Sequence, residues 1–423
     1  MKTSHPSLAA RARWVFPVDG PPVPDGHIVL EGPRIAYVGP DPGGTPAFDL
    51  GNVAILPGLI NAHTHLEFSH LPSPLGHPGI SFSDWLVAVV TARRAVVAGL
   101  PPEVALARRG ANIRKGLDES LAAGVTVLGE IASDVWPEPF EALCADVTVF
   151  CELIGLSADQ VQTQFLAAQA HLETAASQPP WRAGTSPHAP YTVQPDLLRR
   201  AVYSAREAGV PLAMHLAESM EELELLASGS GPLAQLLQRL DAWSPNAIPR
   251  GIRPLDYLQI LESAPHVLVI HGNYLVEEEF RFLGHHAGNM SVVFCPRTHA
   301  WFQHGRYPLA QLLDAGANVA LGTDSRASSP SLSLLSEMSW VAQHHTDVEP
   351  SQIVSLGTIA GAKALGLDSL TGSLTAGKRA DLTIVALPDA DLADPYEALL
   401  GGDASVVGTV FSGMFVHGRR WGI

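Results

Sequence analysis

Apolar and polar positions change rhythm twice along the chain. Up to about residue 56, short alternating stretches such as His27-Ile28-Val29-Leu30-Glu31-Gly32 and Arg34-Ile35-Ala36-Tyr37-Val38-Gly39 sit among Gly and Pro, which predicts hairpin strands. The same texture returns near the C-terminal end, around residues 380–387, 406–411 and 414–418. Strands from both ends are expected to pair into a small composite β domain, a β-sandwich, formed by residues 1–56 and 371–423. Between them, over 57–370, short apolar runs alternate with long helix-forming stretches. Strands are expected at 55–63, 125–130, 147–152, 182–188, 211–215, 267–271, 291–295 and 318–322, with helices at 103–122, 158–175, 194–208 and 331–344. That alternation is the signature of a parallel α/β architecture. Eight strand–helix units are the number that closes a (β/α)8 TIM barrel. A doubly wound open sheet is the competitor, and no Gly-x-Gly-x-x-Gly follows the early strands to support it.

Chemistry in such a barrel gathers where the strands run out at their C-terminal ends. Here those ends carry His63 and His65, Glu130, Glu152, His188, His215 and His271, then Arg297 just past the seventh strand and Asp324 at the eighth. Residues two apart on a strand face the same side, so the imidazoles of His63-x-His65 converge. Alone, such a pair is as readily a solvated turn, but companions at other strand ends change that reading. Asp324 lies on the last strand, beside the first in a closed barrel, although a helix-capping Asp is its ordinary alternative. Together His63, His65, His215 and Asp324 offer three nitrogens and one oxygen, with room for a water on one divalent ion, zinc or iron. Such an ion makes its water acidic enough to yield hydroxide near neutral pH. Glu218, three residues past His215, is placed to shuttle protons, its alternative being an ordinary helix-start Glu. His271 is either a ligand or the group that orients the water. Lysine occurs only at Lys2, Lys115, Lys363 and Lys378, none at a strand end, so the carboxylated-lysine bridge of binuclear barrel hydrolases has no candidate. One metal is therefore expected, with Glu152 the residue that would bridge a second.

The 423 residues suit a large barrel with a satellite domain. A formal charge of −16 argues against nucleic acid or an anionic membrane surface as partner, since both need basic patches, and favours a small-molecule substrate. Cys144, Cys151 and Cys295 are odd in number and widely spaced, so neither a disulfide framework nor a Cys-rich zinc site is expected. No apolar run approaches the ~20 residues that span a bilayer. A cytoplasmic protein is the expectation, and the composition is compatible with a homo-oligomer.

Several segments in combination resemble the amidohydrolase superfamily: Pro57-Gly58-Leu59-Ile60-Asn61-Ala62-His63-Thr64-His65, Pro187-His188-Ala189-Pro190-Tyr191, His215-Leu216-Ala217-Glu218, Leu321-Gly322-Thr323-Asp324 and Gly372-Ser373-Leu374-Thr375-Ala376-Gly377-Lys378-Arg379-Ala380-Asp381-Leu382. Within it the chain is most similar to the mononuclear aminohydrolase branch. That branch holds adenosylhomocysteine and methylthioadenosine deaminases, aminodeoxyfutalosine deaminase, guanine and 8-oxoguanine deaminases and triazine hydrolases. The resemblance implies that His63, His65, His215 and Asp324 bind the metal and that Glu218 protonates a ring nitrogen. It also implies that His271 and Asp324 handle the attacking water while His188 contacts the substrate. His65-Leu66-Glu67-Phe68-Ser69, with Ser83-Asp84-Trp85-Leu86 and Arg93, is most similar to aminodeoxyfutalosine deaminases, which adds Glu67, Trp85 and Arg93 to the expected substrate contacts, together with Glu152. Cys295-Pro296-Arg297-Thr298-His299 departs from the Cys-Pro-x-Ser-Asn of many relatives in this branch. Arg297 then either receives a substrate carboxylate in bidentate fashion or is structural. The activity implied is metal-dependent hydrolytic deamination of an amino-substituted purine nucleoside or related heterocycle, aminodeoxyfutalosine being the narrower candidate. A chlorohydrolase, a cyclic amidohydrolase and a catalytically silent binding paralogue are the alternatives.

Overall fold

A computed structural model describes residues 7–43, 46–134, 136, 144–176, 180–244, 246–388 and 392–418. Two sheets organise them. The first contains eight strands, Leu59–Thr64, Val125–Ala132, Asp146–Leu153, Arg182–Pro187, Leu212–Leu216, Val267–His271, Met290–Phe294 and Asn318–Leu321, which neighbour one another in chain order. All their pairings are parallel. The ring closes through Thr64 and Asp324, whose backbones form a parallel bridge, and the Asp324 amide donates to the His63 carbonyl at 3.1 Å. Just below, Asn61 and Thr323 exchange two hydrogen bonds, of 2.8 and 3.0 Å, across the same seam. The strands are buried almost throughout, as expected for a parallel sheet covered by helices. Pro102–Ala122, Ala158–Ala176, Pro195–Ala208 and Leu334–His344 are among the covering helices, and each matches a helix expected from periodicity.

One expected strand is two. The apolar run 55–63 breaks at Gly58: Val53–Pro57 leaves the barrel and pairs antiparallel with Leu382–Ala386, while Leu59–Thr64 begins the barrel. A Cβ at Gly58 would lie 2.1 Å from Thr126 Oγ1, so only glycine lets the chain pass this close to the second barrel strand. The Gly58 amide donates to the Asp381 carbonyl at 2.8 Å, tying the corner to the returning C-terminal segment.

The second sheet is mixed, and both chain ends build it, as expected. Its strands are Ser7–Val15, Val23–Glu31, Arg34–Gly39, Phe48–Asp49, Val53–Pro57, Leu382–Ala386, Ser405–Phe411 and Met414–Gly418. The sheet curls over Ile28, Leu30, Ile35, Ile55, Ile384 and Val410, so that Arg34–Gly39 meets the segment before Leu382. There the Ile35 amide donates to the Lys378 carbonyl at 2.9 Å and the Ala380 amide to Pro33 at 2.8 Å. Thr383 and Thr409 hydroxyls, each 2.6 Å from their acceptors, cap the carbonyls of Gly124 and Leu121 and fix the sheet to the end of helix Pro102–Ala122. Among the described residues no helix is long and apolar enough to cross a membrane.

Candidate active site

The strand ends deliver their side chains to one mouth of the barrel. His63 is fully buried, and neither of its ring nitrogens has a hydrogen-bond partner in the protein. His215 Nδ1 lies 3.0 Å from the His188 carbonyl, which makes it the N–H donor and leaves Nε2 as a free lone pair. Ligand atoms of His63, His65 and His215 all lie within 4.8 Å of one another. Asp324 Oδ1 is 3.6 Å from His63 Nε2 and 3.8 Å from His65 Nε2. Its other oxygen accepts a 2.6 Å bond from Ser328 Oγ, and that hydroxyl is 3.0 Å from Thr298 Oγ1. Burial drives His63 and His65 well below the usual imidazole range and His215 down to about 4, so all three present neutral lone pairs. A buried imidazole with two orphaned nitrogens, beside two others and a carboxylate, fits a divalent cation as its missing partner.

Next to this nest stands Glu218, whose Oε1 is 3.3 Å from His271 Nε2. Burial, reinforced by the charge of Asp324, raises its carboxyl well above the usual range. The turn carrying Glu218 is fixed by Glu222, which accepts from the amides of Ala217 and Glu218 at 2.8 and 3.0 Å. Burial pushes Glu222 itself up to about 7. Ala217, His271 and Asp324 all adopt positive φ, at 53°, 68° and 55°. Non-glycine residues in this conformation carry strain that surrounding contacts must hold. For His271 one such contact is the buried Tyr307 hydroxyl, which donates to its carbonyl at 2.8 Å.

Above the nest opens a cavity of about 1010 Å³, counting its mouth. Glu67, Trp85, Arg93, Glu152 and His188 line it. Arg93 Nε is 3.3 Å from Glu67 Oε2, and its Nη2 donates to the Ser133 carbonyl at 3.0 Å. His188 Nδ1 meets Thr192 Oγ1 at 2.6 Å and its Nε2 is 3.9 Å from Glu152, while burial lowers the ring to about 4. Trp85 spends its indole N–H on the Ala327 carbonyl, leaving the ring to the cavity wall. Arg297 is the exception among the expected contacts, for it does not line this cavity. Its Nε donates to buried Glu337 at 2.6 Å and its Nη2 to the carbonyls of Ser331 and Ser333, so the guanidinium neutralises an internal carboxylate and the structural role is the one realised. Glu130, another strand end, turns away from the nest to bind Thr64 Oγ1 at 2.7 Å and the Leu66 amide at 3.0 Å, thereby shaping the loop that carries Glu67. Residues that sequence reasoning missed include Tyr191, inside an already quoted motif, and the apolar wall Leu233, Leu236 and Leu237. Helical spacing is the signal those leucines carry, and an ordinary core face carries it too.

Known proteins resemble this chain over most of their length. A 5-methylthioadenosine/S-adenosylhomocysteine deaminase from Moorella thermoacetica is 29% identical over 420 residues, covering 90% of this chain and 86% of that protein. Aminodeoxyfutalosine deaminase from Deinococcus radiodurans is 29% identical over 338 residues, covering 76% and 75% of the two chains. The crystal structure of Helicobacter pylori aminofutalosine deaminase in complex with methylthio-coformycin superposes with a TM-score of 0.81 at 25% identity, covering 97% of this chain and 100% of that one. The fold is shared as well with a zinc-bound atrazine chlorohydrolase from Arthrobacter aurescens, at a TM-score of 0.78 and 18% identity over 97% and 95% of the two chains. The model of the amidohydrolase family matches residues 54–416. With that match spanning the barrel and the strands that flank it, the chain belongs to the amidohydrolase family.

Proposed function

We propose that the protein is a metal-dependent hydrolytic deaminase of an amino-substituted purine nucleoside or a related heterocycle. The observation that carries this reading is the approach of Glu218 Oε1 to His271 Nε2, at 3.3 Å, on the rim of the three-histidine nest and in the same cavity as Asp324. His63, His65, His215 and Asp324 would hold one divalent ion, zinc or iron, which when bound supplies an activated water. Glu218 gives its proton to the ring nitrogen beside the carbon that bears the amine, which makes that carbon electrophilic. His271 Nε2 and the Asp324 carboxylate orient the water and take up its proton. Asp324 passes that proton to the leaving amine and the remaining hydroxyl proton returns to Glu218, so water and the amidine become a carbonyl and ammonia with both carboxyl groups back in their starting states. His188 and Glu152 stand where the ring must lie, and apolar walls exclude bulk water from the transfer.

The narrower reading, aminodeoxyfutalosine as substrate, draws its support from Glu67, Trp85 and Arg93 in the cavity and from the Deinococcus and Helicobacter relatives. An ammonia-release screen tests both levels, with aminodeoxyfutalosine, adenosylhomocysteine, methylthioadenosine, adenosine, guanine and cytosine on protein of measured metal content. Glu218→Gln is expected to lose about 10²–10⁴ in kcat on the best of them. Silence across the panel from metal-loaded protein, or full activity in Glu218→Gln, would refute the deaminase. Turnover of another compound while aminodeoxyfutalosine stays inert would refute the narrower reading alone. Chloride release from a chlorotriazine, without ammonia from the panel, would favour a chlorohydrolase.

A further inference from the structure

The backbone that delivers Glu218 is held at every polar atom around it. The Leu216 carbonyl, the Ala217 amide and carbonyl, and the Glu218 amide and carbonyl follow one another along the chain, and each is hydrogen-bonded. Buried Glu222 takes both amides, at 2.8 and 3.0 Å. All three carbonyls are engaged by the turn that follows His271. The Gly272 amide donates to Leu216 at 3.0 Å, the Tyr274 amide to Ala217 at 3.2 Å, and the Asn273 side chain to Glu218 at 2.9 Å. A carbonyl only accepts, so Nδ2 is the Asn273 atom that must face it.

These contacts join two strained turns. Ala217 and His271 both have positive φ, and the Gly272 amide also reaches the Ile270 carbonyl at 3.1 Å, closing a three-residue turn around His271. Such conformations persist only where neighbours over-determine them. Two of the three bonds between the turns run from backbone to backbone, which any residue other than proline can supply. The third depends on the identity of Asn273. That residue is half-buried and does not line the cavity, so it acts on what the cavity holds only through its neighbours. What the two turns carry between them is the 3.3 Å approach of Glu218 Oε1 to His271 Nε2. A slip of one turn against the other separates that pair, and misplacement by about 1 Å costs on the order of 10²-fold in rate.

We propose that Asn273 is a positioning residue for the acid: by holding the Glu218 carbonyl it ties the turn of the fifth barrel strand to that of the sixth and sets the approach of Glu218 to His271, while Glu222 grips the same residue from its amide side. This rests on the deaminase reading, in which Glu218 carries the proton, and adds to it the group that aims the carboxyl.

Asn273→Asp tests it, since the change keeps the size and turns the donor into an acceptor facing the Glu218 carbonyl; Asn273→Ala serves if that variant does not fold. On the best substrate of the ammonia-release screen, kcat is expected to fall about tenfold or more in Asn273→Asp and about fivefold in Asn273→Ala, with KM within about threefold and metal content unchanged. In a Glu218→Gln background Asn273→Ala should cost less than about twofold, because no acid is left to aim, whereas a merely structural contact costs the same in both backgrounds. A kcat within about twofold of the parent in both single variants, a loss that falls on KM instead, or a loss that persists in full beside Glu218→Gln overturns the proposal. If the metal-loaded unmodified protein turns over no compound of the screen, the deaminase reading fails separately, and hydrogen exchange over residues 216–222 then decides the clamp. Faster exchange there in Asn273→Ala sustains it, and unchanged exchange overturns it.

Discussion

Ser328 decides which oxygen of Asp324 faces the histidines. Its side chain is fully buried, its hydroxyl donates to Asp324 Oδ2 at 2.6 Å, and Thr298 Oγ1 supports that hydroxyl at 3.0 Å. With Oδ2 engaged, Oδ1 is left 3.6 Å from His63 Nε2 and 3.8 Å from His65 Nε2. Ser328→Ala removes a hydrogen bond to a charged acceptor, worth about 1.5–3 kcal/mol. If Asp324 holds its metal-facing, proton-carrying orientation through this bond, kcat should fall roughly 10- to 100-fold, since about 1.4 kcal/mol is a factor of ten. KM should change little, because Ser328 does not line the cavity. Thr298→Val, one bond further out, should cost only several-fold. The assay is steady-state ammonia release on the best substrate of the screen, alongside metal per chain by elemental analysis. The metal measurement separates a misaligned Asp324 from an emptied nest. A Ser328→Ala protein with full metal content and kcat within about twofold of the parent would refute the reasoning.

Gly322→Ala would set a Cβ 2.9 Å from the Cβ of His63 and 3.1 Å from Cys295 Sγ, so metal affinity should drop roughly tenfold in a competitive chelator titration; unchanged affinity would show that His63 has room to give. Arg297→Met strips buried Glu337 of its cation and should lower the unfolding free energy by about 3 kcal/mol in urea titrations, a loss that adding Glu337→Leu largely restores; no loss in the single variant would contradict the internal-pair assignment. Burial, with help from neighbouring His304, pushes His299 down to about 3. The unfolded chain, with an ordinary imidazole, binds that proton first, so the contribution is complete above about pH 6.5 and fades as pH falls toward 3. It is on the order of a few kcal/mol, and His299→Asn should flatten the acid side of the stability profile, which a denaturant-midpoint series would reveal or contradict.

What could be read from the chain and what could not divide along physical lines. A buried parallel strand writes itself as an apolar run, and its end is where that run meets a polar residue, so His63, His65, His215, His271 and Asp324 stood out in register. Gly58 did not, because the apolar character continues across it from Ile55 to Ile60 and only the proximity of Thr126 shows that the chain changes sheets there. Arg297 shows a second limit: Glu337 lies 40 residues away, on a helix whose interior face the sequence alone does not orient. The groups that hold the reactive ones in place, Glu222, Ser328 and Tyr307, are ordinary polar residues until their partners are seen. The leucines of Pro232–Arg239 look like core because helical spacing records that a face is apolar, and not whether protein or ligand will cover it.

The seam between Thr64 and Asp324 gives the barrel a clasp. The first and eighth strands are joined by a single backbone bridge and the Asn61–Thr323 pair below it, whereas most of the other neighbouring strands share longer ladders. A cation shared by His63 on one side and Asp324 on the other would therefore rivet this short joint of the ring as well as serve chemistry. Hydrogen exchange at Leu59–Thr64 and Asn318–Leu321 should quicken on chelation before the middle strands respond, and a chelated protein whose two terminal strands stay as protected as the rest would break that link.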